Sequence, residues 1–333
     1  MAKFITEENL RQLVDRLLTE GVRTVGPRLD GGILLYAPLG EGDHLVLGKL
    51  PRRSAKETFF PPSETILAYE RGGAGVQLTD VPLANLPETV LITAAPCDTA
   101  APAILDAVFS WDYKDEFYLE RRRKTTIVGM GCSGADDACF CSAVGLSPAA
   151  EAGADLFLAP ATGGYLANAV TEKGEFLLGR FPDLFVETSA TATVVASPSS
   201  PPLELDRVKS WLDTHFDDPF WQEMSDACIG CGSCAFLCPA CHCFDIMDEG
   251  GESKGCRRKS WDACGFGKFT LHASAHNPRD LQNKRYRNRL MHKFSYYVDK
   301  FGQRLCTGCG RCIRACPVGI DIAALLERIN RQE

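Results

Sequence analysis

The chain has 333 residues, of which 45% are hydrophobic and 24% are charged, and its formal net charge at pH 7 is −7. This length predicts about two domains, each large enough to bury its own core. The negative charge argues against general binding to nucleic acids or anionic membranes, which favour basic surfaces. No apolar run approaches the roughly 20 residues needed to cross a bilayer, so no membrane insertion is expected.

The first two hundred residues predict an α/β domain. Residues 1–20 mix apolar and acidic side chains, which predicts an amphipathic surface helix; they do not resemble a secretory signal, so we expect a cytoplasmic protein. A helical pattern, interrupted near Asp112, runs from Thr99 to about Lys124. Strand, helix and strand in succession predict a parallel, buried sheet. Apolar runs bounded by Gly, Pro and Asp predict strands at residues 33–39, 90–95, 126–129 and 155–159.

Pro and Ser dominate residues 197–203, which predicts a stiff polar linker because Pro fixes φ and donates no backbone hydrogen bond. Beyond it, helix, turn and cysteine patterns replace the strand patterns. We therefore predict an N-terminal α/β domain over residues 1–196 and a second, mostly helical domain over residues 204–333.

The chain contains 16 cysteines, far more than packing requires. In a secreted mini-protein they would predict disulfides, but this chain is long and lacks a signal. A reducing compartment keeps thiols free, so many of these cysteines are expected to be metal ligands. They occur in three stretches, at residues 97–141, 228–264 and 306–316.

Two segments, residues 228–239 and 306–317, fit the pattern C-x2-C-x2-C-x3-C-P. Such a short loop brings three thiolates to three irons of one [4Fe–4S] cubane. The fourth cysteine ligates the other cluster in two-cluster bacterial ferredoxins. Carried over by position, the first cluster would use Cys228, Cys231, Cys234 and Cys316. The second cluster would use Cys306, Cys309, Cys312 and Cys238. The alternative, a pair of zinc knuckles, does not require the third cysteine, the fourth cysteine and the Pro together.

The two motifs are separated by an insertion, residues 239–305, whose closure entropy rises only slowly with length. Residues 252–304 of this insertion hold 13 Lys or Arg against 4 Asp or Glu. This run is either a solvated face or a docking face for an acidic partner; DNA binding is a weaker third alternative. The insertion also contains cysteines that either form a further metal site or are buried thiols near the clusters: Cys241, Cys243, Cys256 and Cys264.

Four further cysteines lie in the N-terminal domain. Cys97 and Cys132 each follow a predicted strand, so both are expected at the carboxyl edge of the sheet, where open α/β sheets bind ligands. Cys139 and Cys141 can fold back to the same place. Few basic residues flank these four cysteines. They predict a third [4Fe–4S] cluster, with scattered core cysteines as the alternative.

Residues 129–134 spell G-x-G-x-x-G after a predicted strand, which is also the pattern of a dinucleotide-binding turn. Acidic residues follow directly, where a pyrophosphate would need a positive helix terminus. We therefore interpret the glycines mainly as room for a cluster.

These motifs resemble a family of iron–sulfur proteins that includes the electron-transfer component of anaerobic sulfite reductase and the beta subunit of soluble NAD(P)-linked [NiFe] hydrogenases (sulfhydrogenases). Proteins associated with flavin oxidoreductases are similar. Besides the two cysteine motifs, the resemblance rests on FPPSE at residues 60–64, PCD at 96–98, CFC at 139–141, CHCFD at 241–245 and WDAC at 261–264. His242 departs from the aromatic residue usual at that position.

The resemblance implies an electron-transfer subunit without a substrate of its own. It would relay single electrons between a flavoprotein subunit that reacts with NAD(P)H and a catalytic redox subunit of hydrogenase, sulfite reductase or heterodisulfide-reductase type. The motifs of those catalytic subunits are missing from this chain. The alternative is a flavin- or NAD(P)-binding oxidoreductase with a fused ferredoxin module, which would bind its nucleotide at residues 129–134 or 71–75. A third hypothesis, a nucleic-acid enzyme with structural clusters, would show steeply salt-dependent binding.

Overall fold

A computed structural model of the chain describes residues 2–73, 75–193 and 202–332. The strands are β1 (Ala2–Thr6), β2 (Arg23–Asp30), β3 (Ile33–Pro38), β4 (Ser63–Gly72), β5 (Gly75–Asp80), β6 (Thr89–Ala94), β7 (Thr125–Met130), β8 (Leu156–Ala161), β9 (Gly164–Ala169), β10 (Val186–Thr188), β11 (Phe244–Gly250) and β12 (Lys254–Trp261). The α-helices are α1 (Glu7–Thr19), α2 (Pro96–Thr99), α3 (Ala101–Phe109), α4 (Glu116–Arg123), α5 (Glu172–Arg180), α6 (Leu205–Thr214), α7 (Phe220–Ser225), α8 (Ser233–Phe236), α9 (Gln282–Met291), α10 (Tyr297–Phe301), α11 (Arg311–Arg314) and α12 (Ile322–Asn330).

The larger sheet has eight strands in the order β10–β1–β9–β8–β7–β6–β2–β3. Its central strands β2, β6, β7 and β8 pair in parallel, and the flanking strands pair antiparallel. All six residues of β6 are buried, because apolar side chains cover both faces of the sheet at its centre. The α/β class predicted for this part of the chain is confirmed.

The chain begins differently from the sequence prediction. Residues 2–6 form β1, which pairs with β9 and β10 at one side of the sheet, so the predicted helix over residues 1–20 is wrong for its first turn. Helix α1 starts at Glu7, where the Thr6 side chain accepts a hydrogen bond from the Asn9 N–H at 3.0 Å. The helix is amphipathic, as predicted, and it packs buried Leu10, Leu13 and Leu17 into the core beside the sheet.

A smaller antiparallel sheet, in the order β11–β12–β4–β5, joins distant parts of the chain. Strands β4 and β5 precede the predicted domain boundary, whereas β11 and β12 belong to the insertion. The insertion therefore contributes a β-hairpin to a region that is otherwise mainly helical. Residues 197–201 of the predicted linker lie outside the described residues, and the boundary stays a prediction.

The C-terminal helices enclose a separate core. Trp211 of α6, Leu290 of α9 and Leu326 of α12 are buried in it, and so is Phe140 from the loop that follows β7. The N-terminal cysteine loop is thus anchored against the C-terminal helices. Within the described part of the chain, no helix is long and apolar enough to cross a membrane.

Candidate metal centre

The first-motif group, defined as Cys228, Cys231, Cys234 and Cys316, surrounds one cavity. All four residues line it, so the structure brings the fourth cysteine of the second motif to the first three of the first motif. Gly230 (φ +66°) and Gly232 (φ +75°) have left-handed backbone conformations that glycine adopts without strain, and α8 begins directly after them. This arrangement agrees with the crossed assignment, which stays a prediction.

Neighbouring groups donate hydrogen bonds to these sulfur atoms. The Gln282 Nε2 lies 3.1 Å from the Cys228 Sγ, and the backbone N–H of Ile320 lies 3.2 Å from the Cys316 Sγ. Hydrogen bonds from the side chain and backbone of Ser233 lower the pKa of Cys231. Donors of this kind stabilise thiolates, the form in which cysteine binds metals.

The second-motif group, defined as Cys306, Cys309, Cys312 and Cys238, is also gathered in space. Burial raises the pKa of Cys306 to about 11, and the nearby thiols of Cys238 and Cys309 contribute to the rise. Burial likewise raises the pKa of Cys312 to about 12, with contributions from the other three thiols of the group. Cys312 also lines the first-motif cavity, so the two groups are adjacent.

The N-terminal group, defined as Cys97, Cys132, Cys139 and Cys141, converges at the carboxyl edge of the larger sheet. Cys97 lies in α2 directly after β6, and Cys132 follows the parallel neighbour β7. Burial, together with the thiols of Cys139 and Cys132, raises the pKa of Cys141 to about 11. Burial raises the pKa of Cys97 well above its usual value, and Asp98, Cys309 and Cys132 raise it further against the effect of Arg311. These four thiols are therefore neighbours of one another and of the second-motif group.

The loop of the N-terminal group contacts the second motif through the backbone. The Phe140 N–H donates a hydrogen bond of 2.8 Å to the Gly308 carbonyl. A Cβ atom on Gly308, whose φ is +62°, would lie 2.5 Å from the Cα of Cys141, and one on Gly310 would lie 2.4 Å from the Ala138 carbonyl oxygen. Glycines in the second motif thus permit a contact that no larger residue allows.

Two buried cations from the insertion reach the second-motif group. The Lys293 Nζ lies 3.3 Å from the Cys238 Sγ, and the Arg289 Nη1 lies 3.8 Å from the Cys241 Sγ. Burial opposes the charge on Lys293, but the thiols of Cys238 and Cys241 outweigh it and raise its pKa. The Arg289 Nη2 is buried without a hydrogen-bond partner. Neither side chain has a carboxylate within 4.0 Å in the part of the chain described here.

Sequence reasoning missed these cations because residues 284–289 had suggested an exposed basic run. Arg289 is 5% exposed and Lys293 is 2% exposed. The sequence did contain a signal, since the two positions follow the same helical spacing as the buried Tyr286, Leu290 and Phe294. A charge on an apolar helical face indicates a buried partner of opposite sign.

The cysteines of the insertion lie between the other groups. Cys241 contacts Cys238, and this contact lowers the pKa of Cys238. Cys243 and Cys264 form a hydrogen-bonded thiol pair, and Cys264 also lines the first-motif cavity. Cys256 stands apart on β12, beside Arg258. The first three are thus buried or half-buried neighbours of the predicted ligands.

The residues present fit [4Fe–4S] clusters. The unpartnered Arg289 nitrogen is a buried hydrogen-bond donor that an anionic cluster would satisfy, and the buried hydroxyl of Thr307, next to Cys306, also lacks a partner. No three His, Cys, Asp or Glu side chains among the described residues gather tightly enough for a single metal ion. A cubane spreads its thiolates over four irons, so its ligand set is wider than that of a single ion.

The glycine-rich turn at residues 129–134 is packed rather than open. A Cβ atom on Gly134 would lie 2.8 Å from the Gly48 carbonyl oxygen, and one on Gly129 would lie 2.9 Å from Ala154. No helix begins directly after this turn, in contrast to a dinucleotide-binding turn. The other candidate, residues 71–75, forms the end of the β4–β5 hairpin, of which residue 74 is not described.

Comparison with known proteins agrees with these observations. A model of a 4Fe-4S dicluster domain matches residues 227–320. The chain is 29% identical over 250 residues to sulfhydrogenase 2 subunit beta of Pyrococcus furiosus, a match that covers 72% of this chain and 74% of that protein. No solved structure gives a significant match.

The predicted resemblance to hydrogenase beta-type iron–sulfur subunits is therefore confirmed, and so is a ferredoxin-type dicluster domain. Together these findings support an iron–sulfur electron-transfer subunit of a multisubunit complex. The individual ligands and the number of clusters are matters of proposal.

Proposed function

We propose that this chain, without a substrate of its own, relays single electrons between a flavoprotein subunit that reacts with NAD(P)H and a catalytic redox subunit of the same complex. The first-motif and second-motif groups would each hold one [4Fe–4S] cluster, and the N-terminal group would hold a third. When bound, each cluster supplies a one-electron carrier. The predicted cytoplasmic location is part of the proposal.

The observation that carries this proposal is the contiguity of the three cysteine groups. Cys312 lies between the first-motif cavity and its own group, and Cys309 is close enough to Cys97 to raise its pKa. Electrons delivered to one group would thus have a continuous route to the others. The packed glycine turn gives no support to the alternative of a bound nucleotide.

The protein around these groups has two tasks in this function. Backbone and side-chain donors, such as the Ile320 N–H, hold the thiolates in place. Helices α9 and α12, with their buried Leu290 and Leu326, help to exclude water from the core beside the second-motif group. Burial of this kind and hydrogen bonds to sulfur set the reduction potential of a cluster.

Iron content of the full chain, reconstituted anaerobically with iron and sulfide, tests the number of clusters. Three cubanes require about 12 irons per chain, and two require about 8. Cys132→Ser should remove about four irons, whereas Cys256→Ser, on β12, should remove none. A full chain that binds zinc instead of iron would contradict the proposal. Flavin absorbance bands in the purified chain would favour the fused oxidoreductase.

The crossed ligand assignment makes a separate prediction. If Cys238 ligates the cluster of the second motif, Cys238→Ala should remove the EPR signal of that cluster and spare the one held by Cys228, Cys231 and Cys234. Cys256→Ala is the matched control and should retain every signal. Selective loss of the first-motif signal would reject the crossed assignment.

A further inference from the structure

The first-motif group reaches the surface of the protein. Cys231 is exposed, whereas each of the other 15 cysteines is buried or half-buried. Its neighbours in the cavity lining include Ile229 and Val318, which are 68% and 38% exposed. A cluster held here would be the most accessible one in the chain. Electron exchange with another protein requires close approach, so this group is the natural place for it.

Apolar side chains form the centre of this surface. Besides Ile229 and Val318, Leu281 is 54% exposed and directly precedes Gln282, which lines the cavity. Three large aliphatic side chains exposed around one functional opening have no folding role that requires exposure. Exposed apolar patches with a polar rim mark protein–protein contacts.

The rim of this surface is basic in a protein that is acidic overall. Residues 265–292 contain six Lys or Arg and one Asp, although the whole chain has a net charge of −7. Arg285 lines the cavity, and Lys284 precedes it at the start of α9. One of the six, Arg289, is buried and does not contribute to the rim. Such a local positive field attracts an acidic protein and repels a basic one.

We propose that the port surface, defined as Ile229, Leu281, Lys284, Arg285 and Val318 around Cys231, docks an acidic electron-carrier protein that exchanges one electron with the first-motif cluster. This inference rests on the proposed function, because it requires that cluster. The step itself is balanced: the carrier loses one electron, the cluster gains it, and no bond or proton changes place. The basic rim orients the carrier, and the apolar centre excludes water from the contact.

The test uses the reconstituted full chain and, as probe, an acidic flavodoxin in its anionic hydroquinone form. Stopped-flow absorbance follows loss of one electron from its flavin, whose bands are distinct from those of the clusters. We expect the second-order rate constant to fall at least tenfold as ionic strength rises from low to high, since steering by opposite charges contributes about 10- to 1,000-fold.

Two variants and two matched controls locate the contact. Ile229→Asp, which places a negative charge at the apolar centre, should slow the reaction about tenfold or more, and Lys284→Glu, which reverses a rim charge, should slow it several-fold. Leu78→Asp on β5 and Arg257→Glu on β12 change equally exposed side chains away from the port surface and should leave the rate unchanged.

The outcomes separate this inference from the proposed function. EPR of each variant before mixing shows whether the first-motif cluster is present; its absence from the wild-type chain would refute the proposed function. A wild-type chain with that cluster and a rate insensitive to Ile229→Asp, Lys284→Glu and salt would refute the port surface alone. A faster reaction with a basic cytochrome c, compared at equal driving force, would also refute it.

Discussion

Two cysteine groups in this protein lie beside buried cations, but only one of them also lies beside carboxylates. At the N-terminal group, Arg311 pairs with Asp98 at 2.7 Å and Arg314 pairs with Asp136 at 2.6 Å. At the second-motif group, Arg289 and Lys293 contact thiols and carbonyl groups, and the described residues place no carboxylate within 4.0 Å of either.

The difference shows how one fold can give neighbouring clusters different environments. Paired cations leave little net charge, so a cluster in the N-terminal group would see a nearly neutral surrounding. Unpaired cations leave positive charge, which favours the more negative, reduced state of a cluster in the second-motif group. We therefore expect the second-motif cluster to accept an electron more readily than the N-terminal one.

The largest expected effect comes from breaking the paired side of this comparison. The Asp98 carboxylate, which is fully buried, accepts hydrogen bonds from Arg311, from the Tyr36 hydroxyl and from the Ala55 N–H. Asp98→Asn would leave the Arg311 charge buried without a counter-charge, which costs about 3–5 kcal/mol of stability. The urea midpoint of the full chain, measured anaerobically, would show the loss.

Asp183→Asn is the matched control for that change, because Asp183 pairs with Arg16 at the surface. Exposed ion pairs contribute at most about 1 kcal/mol. Equal effects of the two substitutions would show that Arg311 does not depend on Asp98, and the contrast drawn between the two cysteine groups would fail.

A second prediction concerns the unpaired side. Lys293→Met keeps most of the side-chain volume but removes a positive charge 3.3 Å from the Cys238 sulfur. We expect the potential of the second-motif cluster to fall by on the order of 50–100 mV, because a unit charge several ångströms away is worth about 1–2 kcal/mol at an effective dielectric constant near 20. Potentiometric EPR titration measures the shift. Lys209→Met, a partly exposed ion-paired lysine of α6, should leave that potential unchanged.

The smallest expected effect is a pH dependence on the unpaired side. Burial lowers the pKa of His242 to about 4, and the charges of Lys293 and Lys56 lower it further against a hydrogen bond from the ring to the Ala240 carbonyl. The unfolded chain, with a histidine pKa near 6.5, binds this proton first, so His242 lowers stability as the pH falls below about 6.5. Between pH 7.5 and 5.5 the loss is about 1 kcal/mol.

His242→Phe should abolish that part of the pH dependence, since Phe fills the site without titrating. Urea midpoints at the two pH values measure the effect, and His276→Asn, at an exposed position, should leave the pH dependence as in the wild type. An unchanged slope in His242→Phe would mean that the folded protein binds this proton as readily as the unfolded chain.

Much of the candidate site could be predicted because its signals are local in sequence. Residues 228–239 and 306–317 contain fixed cysteine spacings that a short loop converts directly into a shared geometry. The N-terminal group was predictable for a different reason: residues that follow parallel strands meet at one edge of a sheet. The strand at residues 2–6 was missed, because a short apolar segment can pair with a sheet or extend a helix and its own residues do not decide between them.

The sequence alone thus determined the kind of metal chemistry, the α/β class and the families of cysteines. Only the tertiary structure decided which charges surround them: Arg311 reaches Asp98 across 213 positions of chain, although few basic residues flank the N-terminal cysteines in the sequence. It also decided that the insertion supplies a hairpin to the second sheet and that Arg289 and Lys293 point inward. The physical reason is range: cysteine spacing acts within one loop, whereas burial and electrostatic pairing depend on residues that folding brings together from distant segments.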